Sequence, residues 1–368
     1  MMSPNRISLA RLPTPIQKLK TISQDLGKDV FIWRDDLNGF TESGNKLRKL
    51  EYLMADAIAQ GCDWVITCGG PQSNHTRATA IVARQLGLDV SILVLAKPGF
   101  DHGKTPNGNL LLNQIFDSKM TWLDFDEFQK MGANYDYFLA EEADKLKAAG
   151  HKPYIIPLGG SNPIGTFGYR NAVKEMLTTW TAINCNSNNT TNISSGNTKP
   201  DGDISISVGN TNGSAPDSLF CALGSGGTFV GLQLGIQEQK IKTQLFGINV
   251  IGPIETAEKY VTTLHDSVAK QLGIKINTDQ SHQIDGYLGA GYSIASDADL
   301  EFYVQLARDE GVLLDPCYTG KAFQGMISEI KKSPERFGKE ILFLHSGGIF
   351  ADFSYAEQFK KVLNAQST

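Results

Sequence analysis

From Leu47 onward the apolar residues Leu47, Leu50, Leu53, Met54 and Ile58 recur at the spacing of one helical face, and Gly61 ends the run. A short apolar run at 64–67 reads as a strand. The alternation then repeats: helix at 76–86, strand at 90–95, helix at 109–116, strand at 120–123, helix at 135–149, strand at 153–157 and helix at 167–180. It resumes past residue 217, with strands at 218–223, 245–250 and 341–344 and helices at 229–237, 256–271, 297–310 and 320–330. One further apolar run, 30–33, follows a proline-stiffened entry at 12–16. Strands alternating with helices of this length predict βαβ units, hence an α/β fold with open, mostly parallel twisted sheets carrying helices on both faces.

The pattern breaks at 182–217, where Asn, Ser, Thr and Gly dominate and apolar side chains are too few to offset the entropy of ordering. This stretch is expected to be a poorly ordered surface insertion, with 204–208 as a lone candidate strand. Its N-x-[ST] matches, such as Asn189 to Thr191 and Asn212 to Ser214, are not expected to carry glycans, since no secretory signal is evident.

At 368 residues, with 41% hydrophobic and 20% charged residues, the chain is long enough for two domains. A net charge of −5 without a basic stripe argues against nucleic acid and for small metabolites. The five cysteines, Cys62, Cys68, Cys185, Cys221 and Cys317, are widely spaced with no CxxC pair, so they read as free buried thiols, not a zinc site. No window reaches the ~18 apolar residues of a membrane span. A soluble, cytoplasmic protein is expected.

Three stretches carry candidate chemistry. In Ser43-Gly44-Asn45-Lys46-Leu47-Arg48-Lys49 a lysine stands on a glycine-preceded turn at a helix start; a desolvated or cation-flanked lysine amine can react with an aldehyde, although a basic cluster alone is commonly a solvated face. Gly224-Ser225-Gly226-Gly227-Thr228 lies between a predicted strand and a predicted helix, where successive backbone N–H groups make an anion cradle. A phosphate suits it. A dinucleotide competes, but Phe229 stands where that fingerprint wants glycine, and a tight turn that holds nothing is the third possibility. Gln72-Ser73-Asn74-His75 likewise opens a helix after a strand and can hold a carboxylate, or Ser73 can be only an N-cap. Tyr292, Tyr318, Thr319 and Ser346 say little singly.

Together these stretches, with 315–320, resemble the pyridoxal-phosphate (PLP) enzymes of the D-cysteine desulfhydrase and 1-aminocyclopropane-1-carboxylate (ACC) deaminase family, over nearly the whole chain apart from the insertion. The resemblance implies the tryptophan-synthase-β-like or type II PLP fold, with a small domain at 49–159, a large one from 1–48 and 160–368, and a homodimer. It places the Schiff-base lysine on Lys46 and a phosphate-contacting lysine on Lys49. Asn74 falls beside the cofactor's phenolic oxygen, and Ser73, Asn74 and His75 in the substrate-carboxylate loop. Gly224 to Thr228 takes the place of the phosphate loop, and Tyr292 and Tyr318 that of two active-site tyrosines.

Family members that resemble true ACC deaminases carry glutamine, glutamate and leucine where this chain has His75, Thr319 and Ser346, and at all three it sides with the desulfhydrases. Thr319 would offer the pyridine nitrogen a neutral hydroxyl, leaving the ring a weaker electron sink. The implied reaction is α,β-elimination from D-cysteine or a similar β-substituted amino acid, with Lys46 or Tyr318 as the Cα base. ACC deamination, L-cysteate cleavage, PLP binding without turnover and, on the glycine loop alone, a nucleotide-dependent oxidoreductase are the alternatives.

Overall fold

The structure, a computed structural model, describes residues 4–100, 106–188 and 215–365. Two sheets organise it. The strands in chain order are β1 (Ile16–Lys18), β2 (Asp29–Arg34), β3 (Trp64–Gly69), β4 (Asp89–Leu95), β5 (Lys119–Leu123), β6 (Pro153–Ile155), β7 (Ser218–Leu223), β8 (Gln244–Asn249), β9 (Ser281–Ile284) and β10 (Glu340–His345). One sheet has the order β5-β4-β3-β6 and the other β1-β2-β10-β7-β8-β9. All pairings are parallel except β1 with β2.

Strand β10 shows why the central strands are continuous apolar runs. Leu342 and Leu344 enter one hydrophobic core with Phe31 and Trp33, while Ile341 and Phe343 enter the core on the other face with Val30 and Ile32. The parallel register sets Leu342 beside Phe31 and Phe343 beside Ile32, so both faces are covered, as a helix-sandwiched sheet requires. Each such fully buried side chain contributes about 1.5–3 kcal/mol.

Three departures from the sequence reading have physical causes. The helix predicted at 167–180 spans Pro163–Asn188, starting on a proline whose missing N–H costs nothing at a first helical position and continuing into the Asn-rich stretch. The insertion expected from residue 182 therefore begins within a helix; its part at 189–214, with the candidate strand and the N-x-[ST] matches, lies outside the described residues. Asp217, expected inside the insertion, instead ties the core, its carboxylate accepting from the N–H groups of Lys339 and Glu340 at 2.7 and 2.9 Å.

Helix packing then sets the positions that matter. In helix Gly227–Gln239, Gly231 and Gly235 face helix Pro163–Asn188, and a Cβ on either would come within 2.7 Å and 2.5 Å of Tyr169 and Val173. A Cβ on Gly168 would meet the carbonyl oxygen of Arg48 at 2.6 Å, so that helix also lies hard against helix Asn45–Ala59. Arg48 is held there by a buried cluster. Its guanidinium donates to Asp35 at 2.6–2.9 Å and to Glu175 at 2.8 and 2.9 Å. Burial opposes the charge, but Asp35 and Glu175 outweigh it and hold the arginine firmly protonated. Cys62, Cys68, Cys221 and Cys317 are buried free thiols. Among the described residues no helix is long and apolar enough to cross a membrane.

Candidate active site

The carboxyl ends of β3, β7 and β10 run into the turns at 70–73, 224–226 and 346–348. Parallel sheets gather ligands at this edge. A cavity of about 220 Å³ opens there, and its wall holds Lys46, Lys49, Ser73, Asn74, His75, the whole 224–228 loop, Tyr292, Tyr318 and Ser346. Of the candidate site residues, Thr319 and Gln72 are not on the wall: the Gln72 side chain bonds Asn107 and Asn109, and Thr319 is fully buried, its hydroxyl donating to Asp315 Oδ1 at 2.8 Å and accepting from the Asp315 N–H at 3.0 Å. Asp315 also accepts from the N–H groups of Tyr318 and Thr319, so it organises this turn from behind.

Gly44, at φ 107°, precedes the helix Asn45–Ala59 and allows the chain to cross Ser346, whose carbonyl accepts from the Asn45 N–H at 3.0 Å. A Cβ on Gly44 would lie 2.8 Å from that carbonyl oxygen. The crossing sets Lys46 at the cavity, its Nζ 3.1 Å from Asn45 Oδ1, while Asn45 Nδ2 donates to Thr228 Oγ1 at 3.0 Å. Burial, then the nearby Arg77 charge, pulls the Lys46 amine down to about 8, with Asp315 opposing. Below that pH it is an ammonium; above it, a neutral nucleophile. With cofactor-stripped protein, covalent capture of added PLP is therefore expected to accelerate about tenfold per pH unit up to roughly 8 and then level off. A flat profile from pH 6 to 9, measured by borohydride trapping, contradicts this reading.

The other end of the cavity is built for an anion. Gly226, in the left-handed region at φ 82°, caps helix Gly227–Gln239, whose first N–H groups have no intrahelical acceptors. The Gly227 N–H donates to Ser161 Oγ at 3.1 Å, and Ser161 Oγ lies 2.8 Å from Ser225 Oγ. A Cβ on Gly227 would come within 2.5 Å of Ser161 Oγ and 2.7 Å of Lys49 Nζ. Among the described residues Lys49 donates to the Gly159 carbonyl alone, at 3.1 Å, and burial together with Lys46 drives its amine well below the usual lysine range. A dianion beside it would reverse that shift. Among the described residues no aspartate or glutamate lines the cavity. Two lysines, a helix N-terminus and short hydroxyls fit a phosphate ester.

Across the cavity, Ser73 is the N-cap of helix Asn74–Gln85, accepting from the Thr76 N–H at 3.3 Å. That bond uses a lone pair, so the Ser73 proton stays available to a ligand. Thr67 Oγ1 donates to the Ile156 carbonyl at 2.9 Å, so the bond of 2.8 Å between Thr67 Oγ1 and His75 Nε2 has the imidazole as donor. Burial, then Lys46 and Lys49, holds His75 neutral. Its ring is thus turned to Thr67, and what His75 offers an anion is its backbone N–H at the helix start. Tyr292 and Tyr318 share a hydroxyl–hydroxyl hydrogen bond, with rings 5.6 Å apart, and burial raises both phenols well above their usual range. Sequence reasoning missed Tyr135 and Tyr260, which also line the cavity, and Ser161, which accepts from the Gly227 N–H at the loop; of the three only Ser161, in Gly159-Gly160-Ser161-Asn162-Pro163, sits in a turn-like sequence.

Comparison with known proteins identifies the family. The family described as pyridoxal-phosphate dependent enzyme matches residues 7–347. A Thermotoga maritima protein provisionally named a 1-aminocyclopropane-1-carboxylate deaminase is 36% identical over 355 residues, spanning 96% of this chain and 99% of its own. A D-cysteine desulfhydrase of Salmonella typhi is 35% identical over 353 residues, spanning 95% of this chain and 96% of its own. The crystal structure of an ACC deaminase homologue, 34% identical, has a TM-score of 0.78 and covers 98% of this chain and 96% of that one. The chain belongs to the pyridoxal-phosphate dependent enzymes, in the ACC deaminase and D-cysteine desulfhydrase family with its type II fold, and its cofactor is pyridoxal phosphate.

Proposed function

We propose that this enzyme is a carbon–sulfur lyase that converts D-cysteine, or a similar β-substituted amino acid, and water to pyruvate, ammonia and sulfide. The observation that carries the reading is that, among the described residues, the cavity wall holds no aspartate or glutamate: its cationic side chains are lysines and its other polar groups hydroxyl, amide, imidazole and phenol. Bound pyridoxal phosphate supplies an electron sink conjugated to the substrate's Cα. With no carboxylate among the described wall residues, the ring nitrogen of the bound cofactor would lack a counter-ion there and the sink would be weak. Opening a cyclopropane needs a strong one; expelling a thiolate from Cβ needs less.

In this reading Lys49 and the 224–228 loop would hold the phosphate and Asn74 would lie beside the phenolic oxygen. Ser73 Oγ–H, with the N–H groups of Asn74 and His75, holds the substrate carboxylate. Lys46 Nζ would hold the cofactor in the resting enzyme and, once displaced by the substrate's amino group, would take the Cα proton. It suits that role better than Tyr318, because burial moves the lysine toward neutrality and the phenol away from ionisation. The Tyr292–Tyr318 pair faces the substrate as a neutral couple with one O–H left to donate, the other being used between the two hydroxyls.

The Thermotoga relative's name favours a second reading, ACC deamination to 2-oxobutyrate and ammonia. Purified enzyme should release equimolar sulfide and pyruvate from D-cysteine, with a kcat/KM at least about 100-fold lower for ACC or L-cysteate, a gap of about 3 kcal/mol. 2-Oxobutyrate from ACC as the main product, or sulfite from L-cysteate, would replace the proposal with that substrate.

A further inference from the structure

Asn74 lines the cavity, yet its amide is oriented from outside it. Asn109, fully buried in helix Gly108–Ile115, donates through Nδ2 to the Gln72 carbonyl oxygen at 3.0 Å and to Asn74 Oδ1 at 3.0 Å. A backbone carbonyl can only accept, so the Asn109 atom facing Gln72 is the nitrogen. Its second N–H points at Asn74, and the Asn74 atom that meets it must be the oxygen. The Asn74 amide is thereby locked with its NH₂ turned from Asn109.

Asn109 is itself fixed. Its N–H donates to Gln72 Oε1 at 2.9 Å, and Gln72 Nε2 donates to Asn107 Oδ1 at 2.8 Å. A Cβ on Gly108 would come within 2.5 Å of the Phe350 carbonyl and 2.6 Å of Gln72 Oε1, so the helix start packs closely against both, with no room for a side chain. One turn on, Asn113 Nδ2 donates to Thr76 Oγ1 at 3.1 Å, bracing the same helix start.

We propose that Asn109 is a positioning residue that sets the polarity of the site at Asn74, making that point a hydrogen-bond donor toward the cofactor's phenolic oxygen. This rests on the placement of Asn74 beside that oxygen. A donor there stabilises the ionised ring oxygen, whereas an acceptor destabilises it. Asn109→Asp keeps the shape but replaces the donating NH₂ with an oxygen, and draws the Asn74 NH₂ away from the cofactor.

The test follows the visible absorbance of the bound cofactor across pH, together with PLP affinity of the stripped protein, in the wild type, Asn109→Asp, Asn109→Ala, Asn74→Ala and the Asn74→Ala, Asn109→Asp double variant. Asn109→Asp should move the spectral midpoint up by about one pH unit or more and weaken PLP binding about tenfold or more. Asn109→Ala, which removes the lock without reversing it, should shift the midpoint less, and carries the test if the aspartate variant does not fold. In the Asn74→Ala background Asn109→Asp should add no further spectral shift, which a merely structural role would not produce. An unchanged midpoint in Asn109→Asp and Asn109→Ala, beside a shifted one in Asn74→Ala, overturns the proposal alone. An unchanged midpoint in Asn74→Ala overturns the placement of Asn74, and the proposal with it.

Discussion

Lys46→Ala is expected to abolish covalent attachment of the cofactor and to lower turnover by about 10³-fold or more. The neighbouring amine cannot take over. Lys49 Nζ is tied to the Gly159 carbonyl at the phosphate end, whereas Lys46 Nζ hangs from Asn45 at the other. Lys49→Ala should therefore retain a borohydride-reducible linkage while binding PLP more weakly, and the two variants separate attachment from affinity. Residual activity of Lys46→Ala within tenfold of wild type, or loss of the linkage in Lys49→Ala but not in Lys46→Ala, would reverse the assignment.

Asp35→Ala should cost about 3–5 kcal/mol of stability, read as the shift of a urea unfolding midpoint at constant slope. The loss arises because Arg48 stays buried with one of its two carboxylate partners gone. Asp35 accepts three bonds from that guanidinium and another from the Tyr169 hydroxyl, so Tyr169 is orphaned as well. Asp35→Asn, which keeps the shape and part of the hydrogen bonding, should lose less. A midpoint unchanged in Asp35→Ala would mean that Glu175 alone compensates the arginine.

Elements whose signal is local were legible in the chain. The run Leu219-Phe220-Cys221-Ala222-Leu223 and the periodic helix after Gly44 announce themselves because burial on both faces, or on one, leaves a matching pattern. Strand β9, Ser281–Ile284, has no such pattern. It exists because β8 offers it an edge and Gln244 Oε1 meets His282 Nε2 at 3.1 Å, which is tertiary context. The three-residue β1 and the short helices Lys20–Leu26 and Phe125–Lys130 are below the length at which periodicity speaks.

The site divides in the same way. Lys46, the 224–228 loop and Ser73–His75 were readable because each sits where a strand or glycine turn enters a helix, a junction with its own chemistry. Tyr135 and Tyr260 reach the cavity, Ser161 its glycine loop and Asn109 the Asn74 amide behind its wall by folding alone, from segments that read as a turn or as ordinary helix. Thr319 was readable as a position but not as a partner: its hydroxyl answers to Asp315, a residue whose burial no sequence pattern disclosed.

The glycines that let helix Gly227–Gln239 lie against helix Pro163–Asn188 extend well past the cavity: Gly235 is eight residues, about 12 Å along the axis, from Gly227. The helix works as a rigid rod whose tip is the anion cradle, so its far end is a lever on the tip. An added methyl at Gly235 pushes on Val173, and the rod can yield only by tilting or sliding, which moves the N–H groups beside Lys49. The heritable specification of the phosphate site thus reaches residues that no ligand touches, and damage to cofactor retention can originate two helical turns from the cofactor.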